Sequence, residues 1–355
     1  MNPPSKRPGP APPPVDVAGD APQADDPPAP IRVAVPTERA GLRLDLALAR
    51  LLPQYSRSRL QRWIEAGRVT AAGRPLGRRD RLLGGEQVVL EPQYELDESV
   101  QPGEPAVPLR IVHRDASLFV FDKPPGLVVH PGAGVRAGTL QNALLALDPR
   151  LARVPRAGIV HPLDKDTSGL LVVARTPEAQ AALSAALAER EIGREYLALC
   201  VGVLTGGGTV DEPIGRHRTQ RTRMAVRADG RDAVTHYRIE RRFPAHTLLR
   251  VKLETGRTHQ IRVHLAHLGH PIVGDPVYGG RRRTPPGASP GLLEALAGFR
   301  RQALHAARLE LQHPRSGETL RFEAPLPRDF ADLLQALAHS EPVQREAARA
   351  RESRR

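Results

Sequence analysis

The sequence predicts an α+β protein: a large, mostly antiparallel mixed sheet with helices packed outside it, preceded by a smaller α/β unit. Most apolar runs after residue 109 are short, rich in Val, Ile and Leu, and joined by turn residues, whereas few segments show helical spacing. The length of 355 residues fits about two domains at roughly 100 to 200 residues each.

Charge and cysteine content narrow the class of protein. The net charge of +13 and the pI near 10.8 favour an anionic partner, most often nucleic acid, although an Arg-rich proteome would produce a similar excess. The single cysteine, Cys200, excludes an internal disulfide framework and a thiolate-rich zinc site, and it suits a reducing compartment. Because no secretory signal or membrane span is recognisable, we expect a cytoplasmic protein.

The first part of the chain predicts a disordered arm, residues 1–36, and then a small α/β unit, residues 37–92. Residues 1–30 contain eleven prolines and too few large apolar residues to offset the entropy of ordering. Leucines at helical spacing, capping residues and short β-type runs then predict two helices and a hairpin-like sheet. The marker residues are Leu44, Leu48, Leu51, Leu52, Ser56, Leu60, Trp63, Ile64, Gly67, Val69, Thr70, Gly73 and Gln87 to Leu90.

The second predicted helix carries a cationic face. Residues 38–91 hold eleven Arg or Lys against six Asp or Glu, and Arg57, Arg59 and Arg62 lie away from the apolar stripe. These three arginines are candidate phosphate contacts, although a solvated helix face would have the same pattern.

The rest of the chain divides by composition. Residues 93–108 are polar and proline-containing, as expected of a linker, and a main domain follows over residues 109–330. Residues 331–355 predict a short helix and a basic tail, which either contacts RNA or aids solubility.

Residues 159–173 place a carboxylate between two β-type apolar runs. The polar loop between the runs ends in glycine, so Asp164 would be held on a turn whose flanking strands fix its position. Asp in such a loop is also common as a simple turn cap, and the loop alone leaves both interpretations open.

Other candidate residues follow at a distance in sequence. Tyr196, on a predicted strand, can stack on an extruded base or belong to ordinary strand packing. Arg216 and Arg223 place cations on a connection between strands. Arg257 and Arg262 follow a further strand, and a buried arginine beside Asp164 would keep that carboxylate ionised and aimed.

Four histidines close together in sequence suggest a zinc site as an alternative. No cysteine joins them and no His-Glu-x-x-His motif is present, so satisfied structural histidines or RNA contacts are favoured. The four residues are His259, His264, His267 and His270.

Three blocks in order resemble the RluA-type pseudouridine synthases over residues 109–328. They are His161 to Gly169, Arg194 to Tyr196, and Thr255 to His264, extended by Gly269 to Gly279. The earlier segments Arg43-Leu44-Asp45, Ser56 to Gln61 and Ile64 to Val69 resemble an S4-type RNA-binding domain, which makes the RluD-like branch the closest match.

The resemblance implies that Asp164 acts on the ribose of a target uridine, either as nucleophile at C1′ or as base at C2′. It also implies that Tyr196 packs against the flipped base and takes part in proton transfer, and that Arg262 pairs with Asp164. No cofactor or metal is implied. We expect the protein to be a monomer. Its expected substrate is large-subunit ribosomal RNA, free or within the assembling subunit, and transfer RNA is the second choice.

One position departs from the resemblance. The family has Arg two residues before the catalytic Asp, whereas this chain has Pro162. In the family that arginine contacts RNA near the extruded nucleotide, so its replacement removes a cation and a backbone donor. We therefore expect weaker RNA binding or slower base flipping.

Two other functions remain as alternatives. Asp164-Lys165-Asp166 after an apolar run mimics the Asp-x-Asp pair of haloacid-dehalogenase-like phosphatases, but the acidic magnesium cluster and the alternating βαβ order of that class are not evident. A non-catalytic RNA-binding protein, with the S4-like unit as its working part, is the second alternative.

Overall fold

The structure is a computed structural model that describes residues 30–52, 55, 57–92, 102–103, 108–132, 135, 137–220, 222–280 and 284–352. Most of the predicted arm, the predicted helix cap Ser56, most of the predicted linker and the end of the basic tail lie outside the described residues.

A small antiparallel sheet and two helices make up the first unit. The elements are β1 Ile31–Ala34, α1 Leu44–Leu51, α2 Arg57–Glu65, β2 Val69–Ala71, β3 Arg74–Pro75 and β4 Gln87–Leu90. The strand order is β1-β4-β2-β3. Both predicted helices are confirmed, and the predicted stripe of Leu60, Trp63 and Ile64 is buried in this unit's own core.

The predicted arm ends earlier than residue 36. Strand β1 pairs with β4 over its whole length, with Val33 opposite Val88. Its exposed and half-buried residues alternate, which is the period of a strand that covers one face of a small core. The extreme proline content just before it hid this short strand, so that part of the prediction is wrong.

The remaining elements form a large mixed sheet with helices around it. They are β5 Arg110–Arg114, β6 Leu118–Lys123, α3 Leu140–Leu147, β7 Ser168–Ala174, α4 Pro177–Ala188, β8 Gly193–Val201, β9 Gly208–Asp211, β10 Ile214–Arg216, β11 Met224–Val226, β12 Val234–Arg242, β13 His246–Leu253, α5 Gln260–His267, α6 Pro290–Gly298, β14 Leu304–Gln312, β15 Thr319–Glu323 and α7 Arg328–Glu352.

The strand order of this sheet is β5-β6-β7-β14-β8-β13-β12-β9, with β15 also paired to β14 and a separate β10-β11 hairpin. The pairing of β7 with β14 is parallel, and the other pairings between described strands are antiparallel. The predicted α+β class, with a mostly antiparallel mixed sheet, is confirmed.

Strand β7 lies in the middle of the sheet and is buried along its whole length. Its residues alternate between two cores: Leu171 and Val173 join the larger one, and Leu170 and Val172 join the one on the other face. At Gly169, where φ is +107°, an added Cβ would lie 2.2 Å from the carbonyl oxygen of Ala306. Glycine is therefore required where β7 meets β14, directly after the Asp164 loop.

The C-terminal helix is longer and more integrated than predicted. It runs over Arg328–Glu352 rather than forming a short helix from residue 331. Phe330, Leu333 and Leu337 are buried in the larger core, and Asp329 accepts two hydrogen bonds from Arg301. The predicted domain end at residue 330 therefore falls inside a helix that belongs to the main domain. None of the described helices is long and apolar enough to cross a membrane.

Candidate active site

A cleft of about 150 Å³ opens beside the start of β7. Its walls come from the loop before β7, from β8, from the end of β13 and from the segment that leads into α5. The lining residues are His161, Pro162, Leu163, Asp164, Thr167, Arg194, Tyr196, Leu253, Gly256, Arg257, Thr258, His259, Gln260, Ile261, Arg262 and Leu304. The central loop and the predicted Thr-Gly-Arg segment thus form opposite walls of one cavity.

Asp164 is held by a hydrogen-bonded ion pair. Nη1 of Arg262 donates to Oδ2 of Asp164 at 2.9 Å, and a quarter of the aspartate side chain remains exposed. The other oxygen, Oδ1, lies 3.8 Å from Nε2 of His259 and has no hydrogen bond within the described part of the chain. The carboxylate therefore has one anchored oxygen and one oxygen available to the cleft.

Arg262 is fixed from behind by Asp275. Nε and Nη2 of the arginine donate to the two oxygens of Asp275 at 2.7 and 2.9 Å. Burial alone would lower the pKa of Arg262, but the hydrogen bonds and charges of Asp275 and Asp164 offset that effect and raise the pKa. A forked, permanently charged guanidinium thus presents its third nitrogen to Asp164 in one orientation.

Asp275 is itself oriented by the turn that follows it. Its side chain is completely buried, and Oδ1 accepts hydrogen bonds from the backbone N–H groups of Val277 and Tyr278 at 2.8 and 2.9 Å. Burial raises the pKa of Asp275, but Arg262 and these two N–H groups outweigh it and hold the pKa below its usual value.

His259 and Tyr278 close the side of the site next to Arg262. His259 has a left-handed backbone, φ +58°, and directly precedes α5. Its Nδ1 is 2.9 Å from the Tyr278 hydroxyl, which also accepts a hydrogen bond from the N–H of Met224 at 2.8 Å. Burial lowers the pKa of His259, so this ring is neutral at pH 7.

The three residues that follow Asp164 are tied to the sheet and to the segment before β14. The buried Nζ of Lys123 donates to the carbonyl of Lys165 at 2.9 Å, and that carbonyl also accepts from the N–H of Gly126. Arg301 donates to the carbonyl of Asp166, and Gln302 donates to the hydroxyl of Thr167. These four contacts restrict the loop that carries the carboxylate.

Tyr196 forms a wall of the cleft. Its side chain is 6 % exposed, on β8 opposite Val251 and Ala306. Burial raises the pKa of its hydroxyl, so the phenol is neutral at pH 7. With Leu253 and Leu304 it makes an apolar surface beside Asp164, of the kind on which a planar base can stack.

The structure brings together four of the predicted site residues: Asp164, Tyr196, Arg257 and Arg262 all line the cleft. Arg257 also donates from Nε to the carbonyl of Asp232 at 2.9 Å, which fixes the side chain at the rim.

Two predicted cations lie on the β10-β11 hairpin and the turn between its strands. Arg216 is exposed, and Arg223 lies with its guanidinium carbon 5.3 Å from the centre of the Tyr278 ring. The hairpin therefore contacts the site through Tyr278, although neither arginine lines the cleft.

The arginines of α2 have unequal surroundings. Arg57 is half exposed but donates to the buried Asp45 at 2.9 Å, so it has a structural role in addition to any role in binding. Arg59 lies 5.9 Å from the centre of the Trp63 ring, and Arg62 is exposed. All three side chains lie off the buried stripe, as predicted.

Three of the four histidines have separate hydrogen-bond partners, and that of His259 is the Tyr278 hydroxyl. Nδ1 and Nε2 of His264 bond to the Thr235 hydroxyl and the Glu212 carbonyl, and His270 bonds to the carbonyl of Val201. Within the described residues, no group of three or more His, Cys, Asp or Glu side chains is arranged to hold a metal ion. Asp164 and Asp275 both bind Arg262 instead of converging on a cation site.

Sequence reasoning did not assign roles to several site residues. Asp275 and Tyr278 lie in the resembling block at residues 269–279, so that block was a usable signal for both. His161 and Arg194 likewise begin the resembling blocks at residues 161–169 and 194–196. Lys123 is a polar residue in an apolar strand, and only tertiary packing shows that it holds the loop after Asp164.

Two family models and several curated proteins of one name match this chain. Residues 117–267 match the family model described as RNA pseudouridylate synthase, and residues 42–98 match the S4 domain. A relative from Xanthomonas campestris pv. campestris, ribosomal large subunit pseudouridine synthase D, is 54 % identical over 318 residues, 90 % of this chain and 96 % of its own length. The proteins of the same name from Pseudomonas aeruginosa and Escherichia coli K12 are 55 % and 52 % identical, covering 85 % and 86 % of this chain and 94 % of each relative.

Among solved structures, human RNA pseudouridylate synthase domain containing 4 matches with a TM-score of 0.51 and 29 % identity. The match covers 64 % of this chain and 93 % of the human chain.

Proposed function

This chain belongs to the family of RNA pseudouridylate synthases, which are isomerases, and from that premise we propose that it converts specific uridines of large-subunit ribosomal RNA to pseudouridine, with Asp164 as the catalytic carboxylate. The observation that carries the proposal is the 2.9 Å contact between Arg262 and Asp164 inside a cleft walled by Tyr196. The names of the relatives from three bacteria support the substrate class.

The chemistry needs a positioned carboxylate with one free oxygen. Oδ1 of Asp164 would either attack C1′ of the ribose or remove the proton from C2′, and in both routes the uracil leaves with the electron pair of the C1′–N1 bond. The base then rotates and a bond forms between C5 and C1′. In the first route this step breaks the bond between Asp164 and C1′, and in the second route C2′ regains its proton. The C5 proton is then lost and N1 gains a proton. The sum is an isomerisation that consumes no cofactor.

The walls of the cleft suit the remaining steps. Tyr196 gives the extruded base a flat apolar neighbour, which offsets part of the stacking lost on base flipping. The buried site also retains the detached base until it rejoins the ribose. Arg262 supplies a fixed positive charge beside Asp164, and the position of Arg262 is itself set by Asp275.

RNA binding would involve surfaces on both units of the chain. In the S4 domain, Arg57, Arg59 and Arg62 would contact phosphates, and near the cleft Arg216, Arg223 and Arg257 would do the same. We place the first unit at residues 31–92, so that it includes β1, and the second at residues 109–330 with α7 added. The protein would act as a cytoplasmic monomer on free or assembling ribosomal RNA.

Pro162 supports a second candidate, a chain that binds RNA but modifies it slowly or not at all. The residue is exposed at the mouth of the cleft, where the resemblance places an RNA-contacting arginine. The intact arrangement of Asp164, Tyr196 and Arg262 favours catalysis. Transfer RNA remains the second substrate class.

Pseudouridine mapping tests both the activity and the substrate. Ribosomal and transfer RNA would be mapped from cells that lack the gene, complemented with this chain or with Asp164→Asn. We expect large-subunit sites restored by this chain and not by the variant. Restoration in transfer RNA alone would contradict the substrate, and no restoration together with retained RNA binding would favour the second candidate.

A further inference from the structure

Arg194 is a buried cation on the wall of the cleft. It precedes Tyr196 by two residues on β8, so both side chains point to the same face of the sheet. The residue is 6 % exposed, and its Nε is buried with no hydrogen-bond partner. Within the described part of the chain, its guanidinium has neither a carboxylate partner nor a hydrogen bond.

The other well-buried arginines of this domain are surrounded differently. Arg262 and Arg301 each hold a carboxylate with two nitrogens, and Arg175 pairs with Asp148. Arginine stays protonated in proteins, so Arg194 brings a full charge into a largely buried wall without a carboxylate partner among the described residues. Such an arrangement is unfavourable for the free enzyme, and it is expected where a ligand supplies the missing partner.

The backbone opposite Arg194 leaves room for this side chain. An added Cβ on Gly256 would lie 2.8 Å from Nη1 of Arg194. Both residues line the cleft, so the glycine allows the guanidinium to lie against the segment that leads to Arg257.

His161 adds a second unpartnered nitrogen to the same wall. Its Nε2 is buried without a hydrogen-bond partner in the described residues. Burial, and then the charge of Arg194, lower the pKa of His161 to about 3, so the ring is neutral at pH 7. Beside Asp164 the cleft therefore holds an unpaired cation and a neutral polar group.

We propose that Arg194 binds the detached uracil as an anion, an inference that rests on the proposed function. When the C1′–N1 bond breaks, its electron pair goes to N1 and is delocalised onto the two carbonyl oxygens of the ring. A guanidinium can donate N–H groups to one oxygen and to the adjacent nitrogen. When C5 bonds to C1′, the C5 proton leaves and N1 takes up a proton, so the charge on the base disappears.

The depth of Arg194 favours the base over a phosphate as its partner. The nucleotide enters the cleft with its base towards Tyr196, whereas the phosphates remain on the strand that passes the mouth. Arg194 is 94 % buried next to Tyr196, so its guanidinium reaches the edge of the base. The base becomes negatively charged only after the C1′–N1 bond breaks, so this fixed positive charge stabilises the intermediate more than the substrate.

The test compares Arg194→Gln and Arg194→Lys with the wild-type chain in single-turnover pseudouridine formation. The substrate is large-subunit ribosomal RNA from cells that lack the gene. We expect Arg194→Gln to slow the reaction by about 10² to 10³-fold, as when an oxyanion-binding donor is removed, with the Kd for RNA changed less than about twofold. Arg194→Lys should retain an intermediate rate.

Arg175→Gln is the matched control, because Arg175 is also buried but is paired with Asp148 and lies outside the cleft lining. We expect it to lower Tm and to leave the single-turnover rate of the folded protein unchanged. Arg194→Gln should slow the reaction without lowering Tm. The Tm should stay the same or rise because an unpaired buried charge is removed.

Gly256→Ala provides a second measurement, since the new methyl group displaces the guanidinium. It should slow the reaction in wild type and have little further effect in Arg194→Gln, because the two changes act through one group. Additive effects would overturn the inference.

Three other results would also overturn it: a wild-type rate for Arg194→Gln; an increased Kd with an unchanged rate, which would indicate a phosphate contact; or a Tm loss as large as that of Arg175→Gln. Failure of the proposed function would show separately, as a wild-type chain that forms no pseudouridine in this RNA.

Discussion

Nη1 of Arg262 lies 2.9 Å from Oδ2 of Asp164, although the two residues are 98 positions apart in the chain. The loop before β7 supplies the carboxylate, and α5 supplies the arginine. Asp275 binds the other side of the guanidinium, so the Asp164 carboxylate is positioned through a second, fully buried carboxylate.

Asp275→Asn should weaken both stability and activity. Breaking a buried ion pair by changing one partner typically costs about 3 to 5 kcal/mol, and Arg262 would lose its fixed orientation. We expect a lower free energy of unfolding in urea and a slower single-turnover rate. Asp229→Asn, which alters an exposed carboxylate paired with Arg227, is the control and should change neither quantity. Wild-type stability for Asp275→Asn would contradict this role.

Asp148 should give a pH-dependent contribution to stability. Burial would raise the pKa of Asp148, but hydrogen bonds from Arg150 and Arg175 lower it from 3.8 to about 2. Because the folded pKa is lowered, the stabilisation of about 2 kcal/mol is present above pH 4 and is lost as pH falls towards 2.

Urea unfolding of wild type and Asp148→Asn at several pH values measures this effect. The stability difference between the two proteins should be constant from pH 7 to about pH 5 and should shrink below pH 4. A difference that does not change over this range would show that the ion pair with Arg175 contributes through packing and not through charge.

Pro162→Arg should increase RNA affinity or turnover. The residue is exposed at the cleft, so a longer cationic side chain can reach the bound RNA, and each added phosphate contact on single-stranded RNA steepens the salt dependence of log K by about 0.7. Pro162→Leu restores the backbone N–H without adding a charge, so it separates the effect of the backbone donor from the effect of the cation. Equal rates and affinities for wild type and Pro162→Arg would disprove the expectation.

Tyr278→Phe should loosen the side of the site next to Arg262. The variant keeps the ring but removes the oxygen that bonds to His259 and to the N–H of Met224. Leaving a partly buried N–H unpaired costs about 1 to 3 kcal/mol, which a thermal or urea unfolding experiment detects. Tyr237→Phe is the control, because no hydrogen bond of its hydroxyl occurs among the described residues. An equal effect of both changes would count against this assignment.

Much of the fold followed from local patterns in the sequence. The helices α1, α2 and α4 and the strands β6, β8 and β14 have apolar spacing and turn residues that agree with their final state. Strand β1 and helix α7 were misjudged for opposite reasons. The proline-rich segment before β1 masked a short strand, and the basic end of α7 obscured the apolar residues Phe330, Leu333 and Leu337.

The resemblance marked Asp164, Tyr196 and Arg262, and all three line the cleft. It also covered Asp275 and Tyr278 without giving them a role, because a supporting role depends on distances between segments far apart in sequence. Lys123, for example, holds the loop through the carbonyl of Lys165. Every residue type has a backbone carbonyl, so the sequence does not indicate which one accepts this hydrogen bond.

Loss of the C5 hydrogen tests the central claim most directly. The purified chain and Asp164→Asn would be incubated, in single turnover, with large-subunit ribosomal RNA carrying tritium at C5 of its uridines, and the released tritium and the pseudouridine formed would both be counted. We predict that the wild-type chain releases tritium in an amount equal to the pseudouridine formed, and that Asp164→Asn gives neither product although its RNA binding is unchanged. Pseudouridine formed by Asp164→Asn at the wild-type rate would show that another group breaks the glycosidic bond.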